Sequence, residues 1–396
     1  MKDDKKLDKT LERFFNRFNG FNTEVLEVLG NVVKQFDGLT EEQAHALAQE
    51  LRMGYDLEKL KNDLAKITGK SIKDIDILLD EVAKENADFS EVYQRAKNGE
   101  FISYADNEPL QRIVESIKKQ TDDTFLNLSR TQNIGFSLKD KQGNITFKPL
   151  TTVYNELIDK AVYNVSIGVQ DYQTAMQKTI RGLADSGVKI HEEKVAYKNG
   201  YNMRIDSAVR QNVLTGLRQV NIGIQEQIGE LLGANGVEIS VHSLCAKDHL
   251  DIQGKQYKAR KDETLEQLKE RINSKLDRPI GTLNCKHFMF SIIYGVQEPS
   301  YSKEMLNQFK QESLAEVKFE GKTYTKYEAT QVQRKLETAI RRQKDRNIIA
   351  DASGNEKEVL KTQEKINQLT TKYNSFSRNA GLKTYKNRLR VVGYDN

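Results

Sequence analysis

The sequence predicts a mostly α-helical protein with a small α+β domain embedded in it, flanked by a helical N-terminal unit and a C-terminal antiparallel helical hairpin. Three observations carry that prediction. Apolar residues recur at spacings of three and four over most of the 396 residues. Only 4 prolines interrupt them, although 30% of the residues are charged. Between Gly236 and Ser300 the pattern changes to alternation, turn residues and clustered histidines and cysteines. A chain of this length holds more than one domain at the usual ~100–200 residues each. The pattern changes suggest units at 1–130 (helical), 131–190 (a hairpin and connecting helices), 191–300 (the α+β core domain) and 301–396 (a basic helical hairpin and tail).

Residues 11–36, LERFFNRFNGFNTEVLEVLGNVVKQF, place Phe14, Phe18, Phe21, Val25, Val28, Val32 and Phe36 on one helical face. Such a stripe has to be buried against other elements. Thr40-Glu41-Glu42-Gln43 carries the residues of a capping box and predicts a second helix. Ser71-Ile72-Lys73-Asp74 predicts the start of another before IDILLDEVA, and helical periodicity continues through PLQRIVESIKKQTDDTFLNLSR.

NIGFSLKDKQGNITFKPL breaks the helical pattern and predicts a hairpin around Lys141-Gln142-Gly143-Asn144. Helices follow in TTVYNELIDKAVYNVSIGV and in YQTAMQKTIRGLADSG, the second stopped by Gly187. A longer one fits RIDSAVRQNVLTGLRQVNIGIQEQIGELLG, where Gly233 and Gly236 end the pattern. Val237, Ile239 and Val241 then alternate with polar neighbours in VEISVH as one strand face does, so His242 is expected at a strand end.

Toward the C-terminus Tyr327, Val332, Leu336 and Ile340 mark one side of a helix, with Glu337 four residues before Arg341, the better order for a helical ion pair. A turn at Ala352-Ser353-Gly354-Asn355 separates it from EKEVLKTQEKINQLTTKYNSF, whose stripe is Leu360, Ile366, Leu369, Tyr373 and Phe376. Two long helices joined this closely form an antiparallel hairpin.

The net charge of +5 is unevenly spread. Residues 1–100 hold 16 lysines and arginines against 21 aspartates and glutamates, a net of −5, whereas residues 301–396 hold 20 against 12, a net of +8. That polarity fits two kinds of partner, or two solvated helix faces. No run approaches the ~18 apolar residues that cross a bilayer. The opening MKDDKKLDKTLERFF has charges where a secretory signal has its apolar segment, so a soluble protein not secreted by that route is expected.

Residues 242–299 contain both cysteines, three of the five histidines and the turn signal Gln253-Gly254. Two cysteines are too few for a disulfide framework and fit thiols or metal ligands in a reducing compartment. His242, Cys245 and His249 form one cluster and Cys285 and His287 another, which is how zinc ligands often pair, far apart in sequence and close in the fold. Five candidates compete for four positions. Cys285 beside Leu283, Phe288, Met289 and Phe290 also fits a buried small hydrophobe, with His242 and His249 bonded to the backbone. A third use is catalytic: Cys285 as nucleophile with His249 and Asp248, or Asn284 and His287 in a metal-dependent nuclease, although that pair is closely spaced for such a site. His45, in a helical pattern, and His191, beside Glu192 and Glu193, read as surface residues. Phosphate-binding glycine loops, H-E-x-x-H and calcium-loop motifs are absent.

An ordered series of motifs, RIDSAVRQNV at 204–213, the cluster from His242 to His249 running into Ile252-Gln253-Gly254-Lys255-Gln256-Tyr257, RPIGTLNCKH at 278–287, Tyr294-Gly295 and YEATQVQRKLETAIRRQKDR at 327–346, resembles the minor capsid protein 2 family of tailed bacteriophages over most of the chain. The family pattern has histidines at 242 and 249 and the N-C-[RK]-H box at 284–287, whereas the counterpart of Cys245 is often another residue. The resemblance thus implies His242, His249, Cys285 and His287 as the zinc quartet, with Cys245 as the alternative ligand. The stretch between Tyr257 and Arg278 departs from the pattern, so nothing carries over there. The resemblance further implies a non-enzymatic virion protein, assembled in the host cytoplasm and present in few copies inside the capsid or at the portal vertex. It would work in head assembly, DNA packaging or ejection. Its partners would be portal and major capsid proteins, with packaged DNA against the basic C-terminal region and no membrane in the assembled head. The competing expectation is a metal-dependent DNA-processing or toxin-like enzyme built on the same cluster.

Overall fold

The computed structural model describes residues 4–89, 103–128, 130–140, 142–192, 201–277, 279–280, 285 and 287–395. The described residues are mostly helical and form three small antiparallel sheets, as a mostly α protein with small α+β parts would. Helix α1, Asp4–Gln35, buries its phenylalanine and valine stripe at the centre of the main core, Val28 alone being only partly covered. Helix α2, Glu41–Arg52, opens with the expected capping box: Gln43 N–H donates to Thr40 Oγ1 at 3.3 Å and Thr40 N–H donates to Gln43 Oε1 at 3.0 Å.

No helix begins at Ser71. Helix α3 runs unbroken from Tyr55 to Phe89, and Ser71 lies fully buried in its middle. The buried positions Leu60, Leu64, Thr68, Ser71, Ile75, Leu78 and Val82 form one continuous stripe at spacings of three and four. Tertiary burial of that whole face outweighs a local capping preference. Helix α4, Glu108–Leu128, packs beside it.

Strands β1, Ile134–Lys139, and β2, Ile145–Pro149, form the expected hairpin, with Gly135 opposite Pro149 and Lys139 opposite Ile145; Lys141 of its turn lies outside the described residues. The pair belongs to a larger sheet in the order β2-β1-β3-β4, with β3 at Lys189–Glu192 and β4 at Tyr201–Arg204, two strands the sequence pattern did not signal. His191 is therefore a strand residue, half-buried and stacked on Phe147 at 4.8 Å with Nδ1 2.7 Å from Asn202 Oδ1, whereas His45 is exposed beside Glu41 as expected. Helix α5, Leu150–Ser166, ends three residues before the Val169 of the expected segment, and α6, Tyr172–Ser186, stops at Gly187 as expected. Gly187 has φ +59°, and a Cβ there would sit 2.7 Å from Arg204 Nη1.

Helix α7, Ile205–Leu232, crosses the molecule and stops at Gly233 in the left-handed conformation. Its first turn is tied to the C-terminal hairpin, helices α10, Lys326–Ala352, and α11, Glu356–Asn379. The hairpin is antiparallel: Gln333 bonds Ser377 and Asn347 bonds Thr362, each at 2.9 Å. Two details differ from expectation. Leu360 is 73% exposed, because the inner face of α11 follows Glu358, Thr362, Ile366, Leu369, Tyr373 and Phe376, and Leu360 is out of phase with it. Glu337 does not pair with Arg341; it is buried against Tyr373 and Arg388, while Arg341 Nη1 donates to Asp206 Oδ2 at 2.6 Å.

The small α+β unit has three strands in the order β6-β5-β7, with β5 at Gly236–Ile239, β6 at Gln256–Lys258 and β7 at Met289–Ile292. Helix α8, Leu265–Asn273, lies in the Lys- and Glu-rich stretch that sequence left undefined and buries Leu268 and Ile272 against Val237 and Ile239. Strand β5 is buried on both faces. Glu238, which alternation would turn to solvent, is fully buried and accepts from Gln256 Nε2 at 2.8 Å and from Ser300 N at 3.1 Å. Helix α9, Lys303–Leu314, and a hairpin of β8, Glu316–Phe319, with β9, Lys322–Thr325, lead into α10.

Candidate metal centre

The edges of the three-stranded sheet bring the two histidine and cysteine clusters together. After Ile239 the chain keeps one more paired residue, Ser240, whose N–H donates to Phe288 O at 2.9 Å. It then turns through Leu244 at φ +54° into a short 3-10 turn, Lys247–His249. His242 therefore lies three residues past β5, beyond the strand end where alternation placed it. The turn at Gln253-Gly254 returns the chain to β6, with Gly254 at φ +72° and its N–H on Ile239 O at 2.9 Å. Cys285 and His287 arrive from the other side, just before β7. Arg218 of α7 donates to the Cys285 carbonyl at 2.6 Å, fixing that backbone against the long helix.

Three side chains converge closely. Cys285 Sγ lies 3.4 Å from His249 Nδ1 and 3.5 Å from His287 Nδ1, and the two Nδ1 atoms are 3.4 Å apart. All three residues are at most 3% exposed. His242 and Cys245 form a second triad with the same His287, its ligand atoms within 4.8 Å of one another. The rings of His242 and His287 are 4.3 Å apart, centre to centre. Cys245 Sγ donates to Ala246 O at 3.1 Å, and the two cysteines are thiols rather than a disulfide. Of the predicted quartet, three members thus meet around one point and His242 flanks it through His287. Asn284 lies outside the described residues.

Sequence reasoning noticed Gln253 only as a turn residue, yet its buried amide organises the cluster. Gln253 Oε1 accepts from His242 N–H at 3.4 Å and contacts His287 Nε2 at 3.2 Å. A glutamine between two histidine clusters at a tight turn was the available signal. His249 Nε2 has Asp248 Oδ2 at 3.8 Å, and His242 Nδ1 has Ser243 O at 3.0 Å. Each histidine therefore has one ring nitrogen beside an oxygen acceptor, the usual way proteins set the tautomer of metal-binding imidazoles. Chemically, a thiolate and two or three neutral imidazoles bind a borderline-soft divalent metal, and a thiol beside an imidazole also forms a nucleophile–base pair.

Among the described residues, no helix is long and apolar enough to cross a membrane. No curated protein and no solved structure matches the chain. A family model described as phage minor capsid protein 2 matches residues 3–377, so the match takes in the helical core, the histidine and cysteine cluster and nearly all of the C-terminal hairpin. The chain belongs to the phage minor capsid protein 2 family and is a phage structural protein.

Proposed function

We propose that this protein is a non-enzymatic minor component of the phage head that sits at the portal vertex, bridges portal and major capsid proteins, and serves assembly and the passage of DNA. The family match over 3–377 is the observation that carries the reading. The charge distribution supports its DNA-facing side. Within 301–396 groups of both signs are neutralised. Among the acidic ones Glu358 lies on Arg181 at 2.5 Å, Asp345 on Arg204 at 2.7 Å, and Glu337 is buried beside Tyr373. Among the basic ones Arg341 lies on Asp206, Lys344 on Asp395 and Arg346 on Asp185, so the DNA-facing side rests on the lysines left exposed. Lys357, Lys361 and Lys365 remain exposed on α11 at spacings of four, a short basic stripe interrupted by Glu364, while Lys372 further along pairs with Glu320. Such a stripe tracks phosphates and binds them in a salt-dependent manner.

Cross-linking of purified particles followed by mass spectrometry tests the placement. Cross-links from this chain to the portal protein are expected; absence of the chain from purified particles, or cross-links confined to the shell away from the portal, overturns it. For DNA, the full chain should bind duplex at low salt. The log–log salt slope should fall by about 0.9 for each phosphate that Lys361→Glu or Lys365→Glu leaves without its lysine, and no binding at low salt removes DNA from the partners.

One observation favours an enzymatic reading. Cys285, His249 and Asp248 follow one another as nucleophile, base and orienting carboxylate at 3.4 and 3.8 Å. Against it, the thiol is equally close to His287 and Cys285 is only 3% exposed, a setting that suits a packed or metal-bound sulfur better than a nucleophile. DNA or ester cleavage by the purified protein that disappears in folded Cys285→Ala would replace the structural reading.

A further inference from the structure

We propose that the small α+β unit binds one zinc ion through His249 Nδ1, Cys285 Sγ and His287 Nδ1, with His242 closing the tetrahedron. Zinc at its usual distances of about 2.0–2.1 Å to nitrogen and about 2.3 Å to sulfur requires tetrahedral edges of about 3.3 Å between nitrogens and about 3.5 Å between sulfur and nitrogen. The observed edges are 3.4 Å for the nitrogen pair and 3.4 and 3.5 Å for the two sulfur–nitrogen pairs. The three atoms already stand at the corners of a zinc-sized face.

The proton inventory points the same way. Gln253 Oε1 accepts from the backbone N–H of His242, which fixes that end of the amide as the oxygen. Its contact with His287 Nε2 at 3.2 Å then requires an Nε2–H, so His287 Nδ1 presents a lone pair. His249 Nε2 faces the Asp248 carboxylate at 3.8 Å, the arrangement that places its proton there and leaves Nδ1 as a second lone pair. Two imidazole lone pairs thus face each other at 3.4 Å beside one thiol, in a site at most 3% exposed. A divalent cation is the partner all three can share. The Cys285 proton leaves to solvent, the thiolate and two neutral imidazoles donate to the metal, and the site carries a net charge of one.

His242 is favoured over Cys245 for the fourth position. Its Nδ1 is directed at Ser243 O, leaving Nε2 as the donor, and its half-buried ring lies over His287. The Cys245 thiol is instead turned to the Ala246 carbonyl. Sulfur and nitrogen donors select zinc over oxygen-seeking magnesium or calcium. Burial marks a structural site rather than one that keeps an open coordination position for substrate. The inference does not depend on where in the head the protein sits.

Elemental analysis of the full chain purified without chelators tests it. About one zinc per chain is expected, and cobalt(II) exchanged for it should show a sulfur-to-metal charge-transfer band with intense tetrahedral bands in the visible. Cys285→Ser should lose the charge-transfer band; His242→Ala should keep it while weakening zinc binding about tenfold or more; and Cys245→Ala should change neither. Should Cys285→Ser fail to fold, the half-exposed His242→Ala and the wild-type spectrum decide the matter. No stoichiometric metal together with no cobalt bands on titration overturns the site. Weakening in Cys245→Ala but not in His242→Ala overturns the assigned fourth ligand.

Discussion

At the scale of single residues, the polar groups that sequence patterns set on surfaces turn out to organise the interior. Cys285 and His287 could be picked out because cysteines and histidines are scarce, but Gln253 could not, since its role depends on two neighbours eleven and 34 residues away. Glu238 shows the same blind spot, because alternation cannot tell that Gln256 and the Ser300 backbone will satisfy a buried carboxylate. Asp122, on α4, has Oδ1 buried without a hydrogen-bond partner. Burial, reinforced by Asp76, Asp123 and Glu115, pushes its carboxyl up to about 6, above the ~3.9 of an unfolded aspartate. The folded state therefore holds that proton more tightly. The resulting stabilisation is complete below about pH 4 and is lost as the pH rises through about 6. Asp122→Asn should raise the melting temperature at neutral pH and change it little at about pH 4, which thermal melts at the two pH values check.

At the scale of elements, boundaries were legible wherever local chemistry ended them and illegible wherever burial overrode it. The capping box at Thr40 and the stops at Gly187 and Gly233 depend on residues adjacent in sequence, and all three stand where read. Ser71 carried a start signal of the same kind and lost to the continuous stripe of α3. Its hydroxyl is buried without a hydrogen-bond partner, so Ser71→Ala should stabilise the protein by about 1 kcal/mol through better helix propensity and removal of an unsatisfied group. Denaturant melts measure that gain, and a loss of stability would contradict it. Conversely, Thr325 closes a full capping box with Glu328 at the start of α10, and Thr325→Ala should cost about 1 kcal/mol.

At the scale of the whole molecule, sequence reading named the helical units and could not foresee how they join. The main core draws on residues from Leu11 to Val391, and the C-terminal segment lies on α1, where Val392 N–H donates to Asn19 Oδ1 at 2.6 Å and Thr23 Oγ1 donates to Val392 O at 2.5 Å. A buried ionic chain fastens the same elements. Asp345 accepts from Asn22 and from Arg204, whose partner is 141 residues away, and Asp206 accepts from Arg204 and Arg341. The RIDSAVRQNV motif thus marks a structural joint, since Arg204 and Asp206 link α1, α7 and α10. Asp345→Ala leaves Arg204 buried with half its compensation gone and should cost about 3–5 kcal/mol, read from denaturant melts. The proposed function makes this jointed molecule a fixture of the portal vertex. An asymmetric cryo-electron-microscopy reconstruction of the intact head tests it most directly: density for the helical core and its C-terminal hairpin should appear in a few copies against the portal, with the lysine stripe of α11 toward DNA, and density only in the icosahedral shell, or none in the particle, would contradict the account.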